Sequence, residues 1–153
     1  MLLVCLLGWL APPVANAKLV EEIIKVPVKV SNGYGKESEQ NVVVTLFHED
    51  TAPKPYPVVV LNHGRGATQQ QRAALRRAKY SVNSHWLARL GFLVAVPTRV
   101  GYGETGGDDV EDTGSCNNKN YPPGYEAASI QTLRVLEAVR QRPYVAKDRA
   151  VVM

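Results

Sequence analysis

Residues 58–66 read Val58-Val59-Val60-Leu61-Asn62-His63-Gly64-Arg65-Gly66. Four consecutive apolar residues ahead of a glycine-containing turn read as a strand buried on both faces. Such strands belong to parallel sheets covered by helices, and in those sheets ligands bind beyond the carboxyl ends of the strands. His63, Gly64, Arg65 and Gly66 stand at such an end. Glycines there let the chain turn sharply and bring backbone N–H groups close to a ligand. The same residues also suit a tight turn with no ligand, and this stretch alone leaves both readings open.

The flanking sequence extends the pattern. Upstream, Val20 to Val30 alternates β-branched and charged residues and reads as a strand, with Pro27 favouring a sheet edge. Ser31 to Gly35 is a turn cluster, and Val42 to Phe47 a second strand that pairs antiparallel with the first. Pro53, Pro55 and Pro57 stiffen the connector to the third strand, Val58 to Leu61. Downstream, a polar loop leads to a helix over Val82 to Leu90, with Trp86, Leu87 and Leu90 on one face and Gly91 as its cap. Phe92 to Val96 is a fourth strand, and Thr98 to Pro123 a long irregular segment of the kind that is usually functional. Tyr125 to Arg140 carries Ala127, Ile130, Leu133, Leu136 and Val139 near helical spacing, and a fifth strand begins near Ala150. The expectation is an α/β fold, a three-layer α/β/α sandwich. Its sheet is mostly parallel with an antiparallel N-terminal strand pair, and its crossovers are right-handed.

The 153 residues, 45% hydrophobic and 21% charged, fit one globular domain. The first part of the chain reads as a targeting signal. Leu2 to Leu10 is an apolar core, Pro12-Pro13 follows, and Ala15-Asn16-Ala17 is a cleavage site, although no Lys or Arg precedes the core. The expected organisation is a signal peptide over 1–17 and a folded domain over 18–153, in a periplasmic or secreted protein with no stable membrane insertion after cleavage. Cys5 would leave with the signal, so Cys116 would be the remaining thiol. The net charge is +4, with much of the basic excess in Arg72, Arg76, Arg77, Lys79 and Arg89. These read as a solvated helix face, with a patch for an anionic substrate or envelope surface as the competing reading. No aromatic-basic motif points to nucleic acid. The sequence specifies no oligomeric state.

Gly101-Tyr102-Gly103-Glu104-Thr105-Gly106 matches G-x-G-x-x-G, but Pro97 to Val100 separate it from the strand and no apolar helix follows. The acidic group Asp108, Asp109, Glu111 and Asp112 would repel a pyrophosphate and lacks EF-hand spacing, so it reads as a solvated loop. No cofactor and no metal are expected. Of the three histidines, only His63 stands at the ligand end of the predicted sheet. His85 reads as a packing or surface residue, and His48 lies in the turn after the second strand. Cys116 has no basic neighbour beyond Lys119 to depress its pKa.

The order of "NHGRGA" at 62–67 and "PTRVGYGETGG" at 97–107 resembles the α/β-hydrolase superfamily, most closely secreted dienelactone-hydrolase-like proteins. The resemblance spans roughly residues 20 to 153. It implies a hydrolase of ester or related acyl bonds acting on a small-molecule substrate. The backbone N–H of Arg65 is implied as first oxyanion donor and that of Gly66 as second. His63 and Gly64 would support the oxyanion loop, while Arg99, Tyr102 and Gly103 would brace the adjacent loop or line the pocket. In the resemblance the fifth strand leads into a nucleophile elbow, G-x-S-x-G, followed by the acid and the base. No G-x-S-x-G occurs in the chain. The nucleophile, serine or cysteine, is therefore expected after Met153 together with its acid and base, and this fragment is expected to be inactive. The alternative is a non-catalytic envelope ligand-binding module on the same fold.

Overall fold

The structure, a computed structural model, describes residues 17–153. The predicted leader lies outside the described residues, apart from Ala17. Five strands and three helices follow in the order β1 (Leu19–Ser31), β2 (Glu37–Glu49), β3 (Tyr56–Val60), α1 (Gln69–Ala74), α2 (Ser81–Arg89), β4 (Leu93–Thr98), α3 (Pro122–Arg140) and β5 (Val145–Val152). The strands form one mixed sheet in the order β1-β2-β4-β3-β5. β1 pairs antiparallel with β2, and β2 antiparallel with β4, whereas β3 runs parallel to both β4 and β5.

Side-chain alternation assigns each strand's residues to the two sheet faces. In β1, Val26, Val28 and Val30 point inward, while Lys25 and Lys29 face water. Pro27 lacks an N–H, and the edge position of β1 accommodates it. In β4, Leu93 and Ala95 join the larger hydrophobic cluster, while Val94 and Val96 join a smaller one with Phe47, Ala78 and Ala88. The larger cluster takes in Ala127, Val135, Leu136 and Val139 of α3; the smaller takes in Ala88 of α2. The unbroken apolar run of β4 follows from having both faces covered.

Helix ends follow local chemistry. Gly91 adopts φ +89°, its N–H donates to Ala88 O at 2.9 Å, and Phe92 N–H reaches Leu87 O at 3.3 Å. This double bond pattern closes α2 by a Schellman motif. Pro122 and Pro123 occupy the first turn of α3, where their missing N–H groups cost nothing.

Four sequence expectations are corrected. The stretch after Gly66 is not all loop: Thr68 caps α1, and Gln71 returns the bond to complete a capping box. The buried face of α2 is built from Ser84 and Ala88. Val82 (83% exposed), Trp86 and Leu90 face outward, while Leu87 packs against the smaller cluster from the edge of that face. In α3, Leu133 is exposed, and Gln131 and Thr132 are buried on the face turned to the sheet. The fifth strand begins at Val145, ahead of the apolar run, because a sheet-edge strand tolerates Lys147, Asp148 and Arg149 facing water. No helix among the described residues is long and apolar enough to cross a membrane.

Candidate functional site

β3 delivers the chain to Asn62 and His63 at the carboxyl end of the sheet. Asn62 ties three elements together there. Its backbone N–H and its side-chain amide donate to Met153 O at 2.8 and 3.2 Å, and its Oδ1 accepts from Thr132 of α3 at 3.1 Å. His63 is 4% exposed, and its Nε2 accepts the Arg99 backbone N–H at 3.1 Å. The proton therefore sits on Nδ1, which donates to Gly64 O at 2.8 Å. Burial, and then the nearby Arg99 cation, push the His63 pKa down from 6.5 to about 4, so the ring is neutral.

Arg99 leaves the end of β4 and reaches across to β3. Its guanidinium pairs with both oxygens of Glu111 and donates to His63 O at 3.0 Å. Arg99 is 5% exposed and Glu111 4%. Tyr102 completes the cluster. Its hydroxyl lies 3.3 Å from a Glu111 oxygen, and its ring centroid is 4.3 Å from that of His63. Burial and Glu111 push the Tyr102 phenol up, against the opposing pull of Arg99, Arg65 and the Gly66 N–H beside its oxygen. Gln131, 0% exposed on α3, accepts the Val100 N–H at 2.7 Å and so fixes the start of the same loop.

A second clamp holds the Arg65 side chain. It makes a two-pronged pair with Asp109 at 2.7 and 2.8 Å, and Arg72 of the α1 end reaches the same carboxylate at 3.0 Å. Burial alone would raise the Asp109 pKa, but Arg65 and Arg72 hold it below the usual value, while Asp109 raises that of Arg65. Among the described residues, no backbone carbonyl accepts from the Gly64, Arg65 or Gly66 N–H.

Two clefts open beside this loop. One, of about 490 Å³, is lined by Asn62, His63, Arg99, Thr132 and Met153 among others. The other, of about 320 Å³, is lined by Arg65, Arg99, Glu111, Tyr121 and Tyr125 among others. Arg99, Tyr125 and Ala128 belong to both. Of the residues singled out by sequence, His63, Arg65 and Arg99 meet at these clefts. Tyr102 is buried behind them. Gly103 lies against α1, where its N–H donates to Arg72 O at 3.1 Å. His85 packs edge-on to Phe47, and His48 sits beside Tyr56 and Tyr144, at the opposite end of β3. Neither lines either cleft. Cys116 is an exposed free thiol.

The acidic segment is not a solvated loop: Glu111 and Asp109 are the two anchors of the site. Nor is the basic excess a free patch. Arg72 pairs with Asp109, and Arg77 and Lys79 both pair with Glu21. Asn62 and Gln131 escaped the sequence reading. A polar residue at a core-facing position of α3 is the signal that would have found Gln131.

The neutral, buried His63 links stability to pH. Its folded pKa lies below its unfolded one, so its contribution is complete above about 6.5 and is lost as pH falls through about 4. The expected loss is ~3 kcal/mol, most of it already gone at pH 5, above the range where ordinary carboxylates titrate. Urea unfolding from pH 7 to 5 checks this. A His63→Asn variant, less stable throughout, should lack the slope over that interval; an equal slope in both proteins would assign it elsewhere.

No protein-family model and no curated protein matches the chain. Solved structures do. An acetyl xylan esterase from Paenibacillus sp. R4 superposes with a TM-score of 0.53 at 16% identity, covering 90% of this chain and 45% of its own. The esterase Est22 gives 0.48 at 16% identity, covering 88% and 34%. A hypothetical protein from Pseudomonas aeruginosa gives 0.47 at 18% identity, covering 99% and 40%. The fold is α/β-hydrolase-like. The chain spans less than half the length of each of these structures.

Proposed function

We propose that this chain carries the oxyanion-stabilising portion of a hydrolase of ester or related acyl bonds, of the secreted dienelactone-hydrolase-like type. The observation that carries the reading is the loop after β3. It stands at the carboxyl end of the sheet beside two clefts, its backbone N–H groups have no carbonyl acceptor, and one buried ion pair, Arg99–Glu111, together with the more open Arg65–Asp109 pair, braces it. Donors fixed in advance are what oxyanion stabilisation needs, and one such donor contributes about 3–4 kcal/mol to an acyl-transfer barrier. Arg65 N–H is the first donor and Gly66 N–H the second, as the resemblance to hydrolases implies.

In this reading a serine or cysteine reached from β5 attacks the acyl carbon. The nucleophile's proton passes to the base, and the carbonyl electron pair moves onto oxygen, which accepts a hydrogen bond from Arg65 N–H. Collapse of that intermediate expels the alcohol, protonated by the general acid, and leaves an acyl-enzyme for water to cleave. The complete domain is a three-layer sandwich, exported with its leader removed after Ala17. The test has two steps. The coding sequence beyond Met153 should show G-x-S-x-G or G-x-C-x-G within a few residues, and a fluorophosphonate probe should label the full-length protein at a serine there. An elbow whose nucleophile is Gly, Ala or Asp, with no labelling, would instead assign the scaffold to a ligand-binding module.

A further inference from the structure

The two tyrosines of the second cleft leave much of their rings open to solvent. Tyr121 and Tyr125 stack on each other at the start of α3, with ring centroids 5.8 Å apart and planes 16° apart. Both are exposed, Tyr125 by 65%. Their spacing is too narrow for a ring to slide between them, so a ligand would meet the outer ring faces. Thr113 lines the same cleft and also walls a neighbouring one of about 200 Å³, lined by Tyr34, Asn118 and Asn120. Tyr34 is 75% exposed at the tip of the β1–β2 hairpin. That turn is held against the α3 start, because Gly33 leaves only 3.2 Å between an added Cβ and Pro123. A stacked tyrosine pair, a third open ring and two exposed amides therefore line a row of two adjoining clefts, the first of which holds Arg65.

We infer that this row binds a glycan chain and that the substrate of the proposed hydrolase is an acylated saccharide. The inference rests on the ester-hydrolase reading for its second half only. A pyranose offers an apolar C–H face to a tyrosine ring and hydroxyls around its rim, and this surface sets exposed rings beside the exposed Asn118 and Asn120 amides. A simple alkyl ester would need a closed apolar pocket rather than an open track. A stacked pair in one cleft and Tyr34 in the next suit a chain of more than one sugar unit, with the acyl group directed to the Arg65 loop.

The test uses unesterified glycans, so that binding is read without hydrolysis. The protein is run by affinity electrophoresis in gels containing xylan, glucomannan or mixed-linkage glucan, together with Tyr121→Ala, Tyr125→Ala, Tyr34→Ala and the conservative Tyr125→Phe. Retardation is expected in at least one glycan. Tyr121→Ala and Tyr125→Ala should each weaken it roughly ten-fold, while Tyr125→Phe keeps it within about two-fold because the ring face survives. Tyr34→Ala should give a smaller loss, of about three-fold. These residues are exposed, so the variants should unfold at the same urea concentration as the parent. No retardation in any glycan, or retardation unchanged in a folded Tyr121→Ala/Tyr125→Ala double variant, would overturn the inference. Retardation with the expected tyrosine dependence, but an elbow with neither serine nor cysteine and no fluorophosphonate labelling of the full-length protein, would leave the glycan track standing and remove the hydrolase reading.

Discussion

Replacing Gly103 by alanine is expected to destabilise the protein by about 3–5 kcal/mol. A Cβ at this position would fall 1.6 Å from the Arg76 carbonyl oxygen and 2.5 Å from its carbon. Both are backbone atoms and cannot swing aside. Arg76 is itself held, since its carbonyl accepts the Glu104 N–H at 2.9 Å. The residue also has φ +36°, in the region that disfavours any side chain. Gly106→Ala separates the two causes. Its φ is +64°, but nothing lies within 4 Å of the added methyl, so only the backbone cost of about 1 kcal/mol applies. Urea midpoints of the two variants decide the matter. If they agree within error, the close approach to Arg76 is not what requires glycine at 103.

The second large effect concerns the buried pair. Glu111→Ala leaves the Arg99 guanidinium 5% exposed with no counter-charge, and the expected loss is about 3–5 kcal/mol. Arg99→Met leaves the Glu111 carboxylate stranded at similar cost. The double variant Arg99→Met/Glu111→Leu should recover much of the loss, because an apolar pair of similar volume avoids desolvating two ions. The double variant would still lack the Arg99 bond to His63 O. Under the proposed hydrolase reading, the full-length double variant should therefore fold well and turn over poorly, a split that isolates the loop-holding role of the pair. A double variant as unstable as Glu111→Ala would show that the geometry, rather than the charge, is what the interior requires.

How far the sequence could be read depended on the range of the interactions. The alternation in β1, the unbroken run in β4 and the prolines at α3 each act over a few residues, and each was legible. The resemblance to hydrolases rested on two glycine-containing loops, and the structure does bring His63, Arg65 and Arg99 together at one end of the sheet. The acidic loop was misread because its partners are remote. Arg65 and Asp109 are 44 residues apart, and neither identity nor spacing predicts that they meet. α1 was missed for a different reason. None of its residues is buried, so no hydrophobic period marked it, although the Thr68–Gln71 capping box was there to be read. On α2 the period was present but only Leu87 of the expected face packs on the core, beside the buried Ser84 and Ala88.

The strand order also sets a timetable. β1 and β2 form one uninterrupted ladder from Ser31↔Glu37 to Leu19↔Glu49 across a short turn, so they can zip together in microseconds without the rest of the chain. β3 has no such local partner. It waits for β4, which arrives only after α1 and α2, and then for β5, where the Asn62–Met153 contact closes a span of 91 residues. The loop of Gly64, Arg65 and Gly66 hangs from the end of β3, so in pulse-labelling its amides should gain protection late, after the hairpin. The part of the molecule with the most demanding geometry is the last to be assembled, on a frame that is already rigid when it docks.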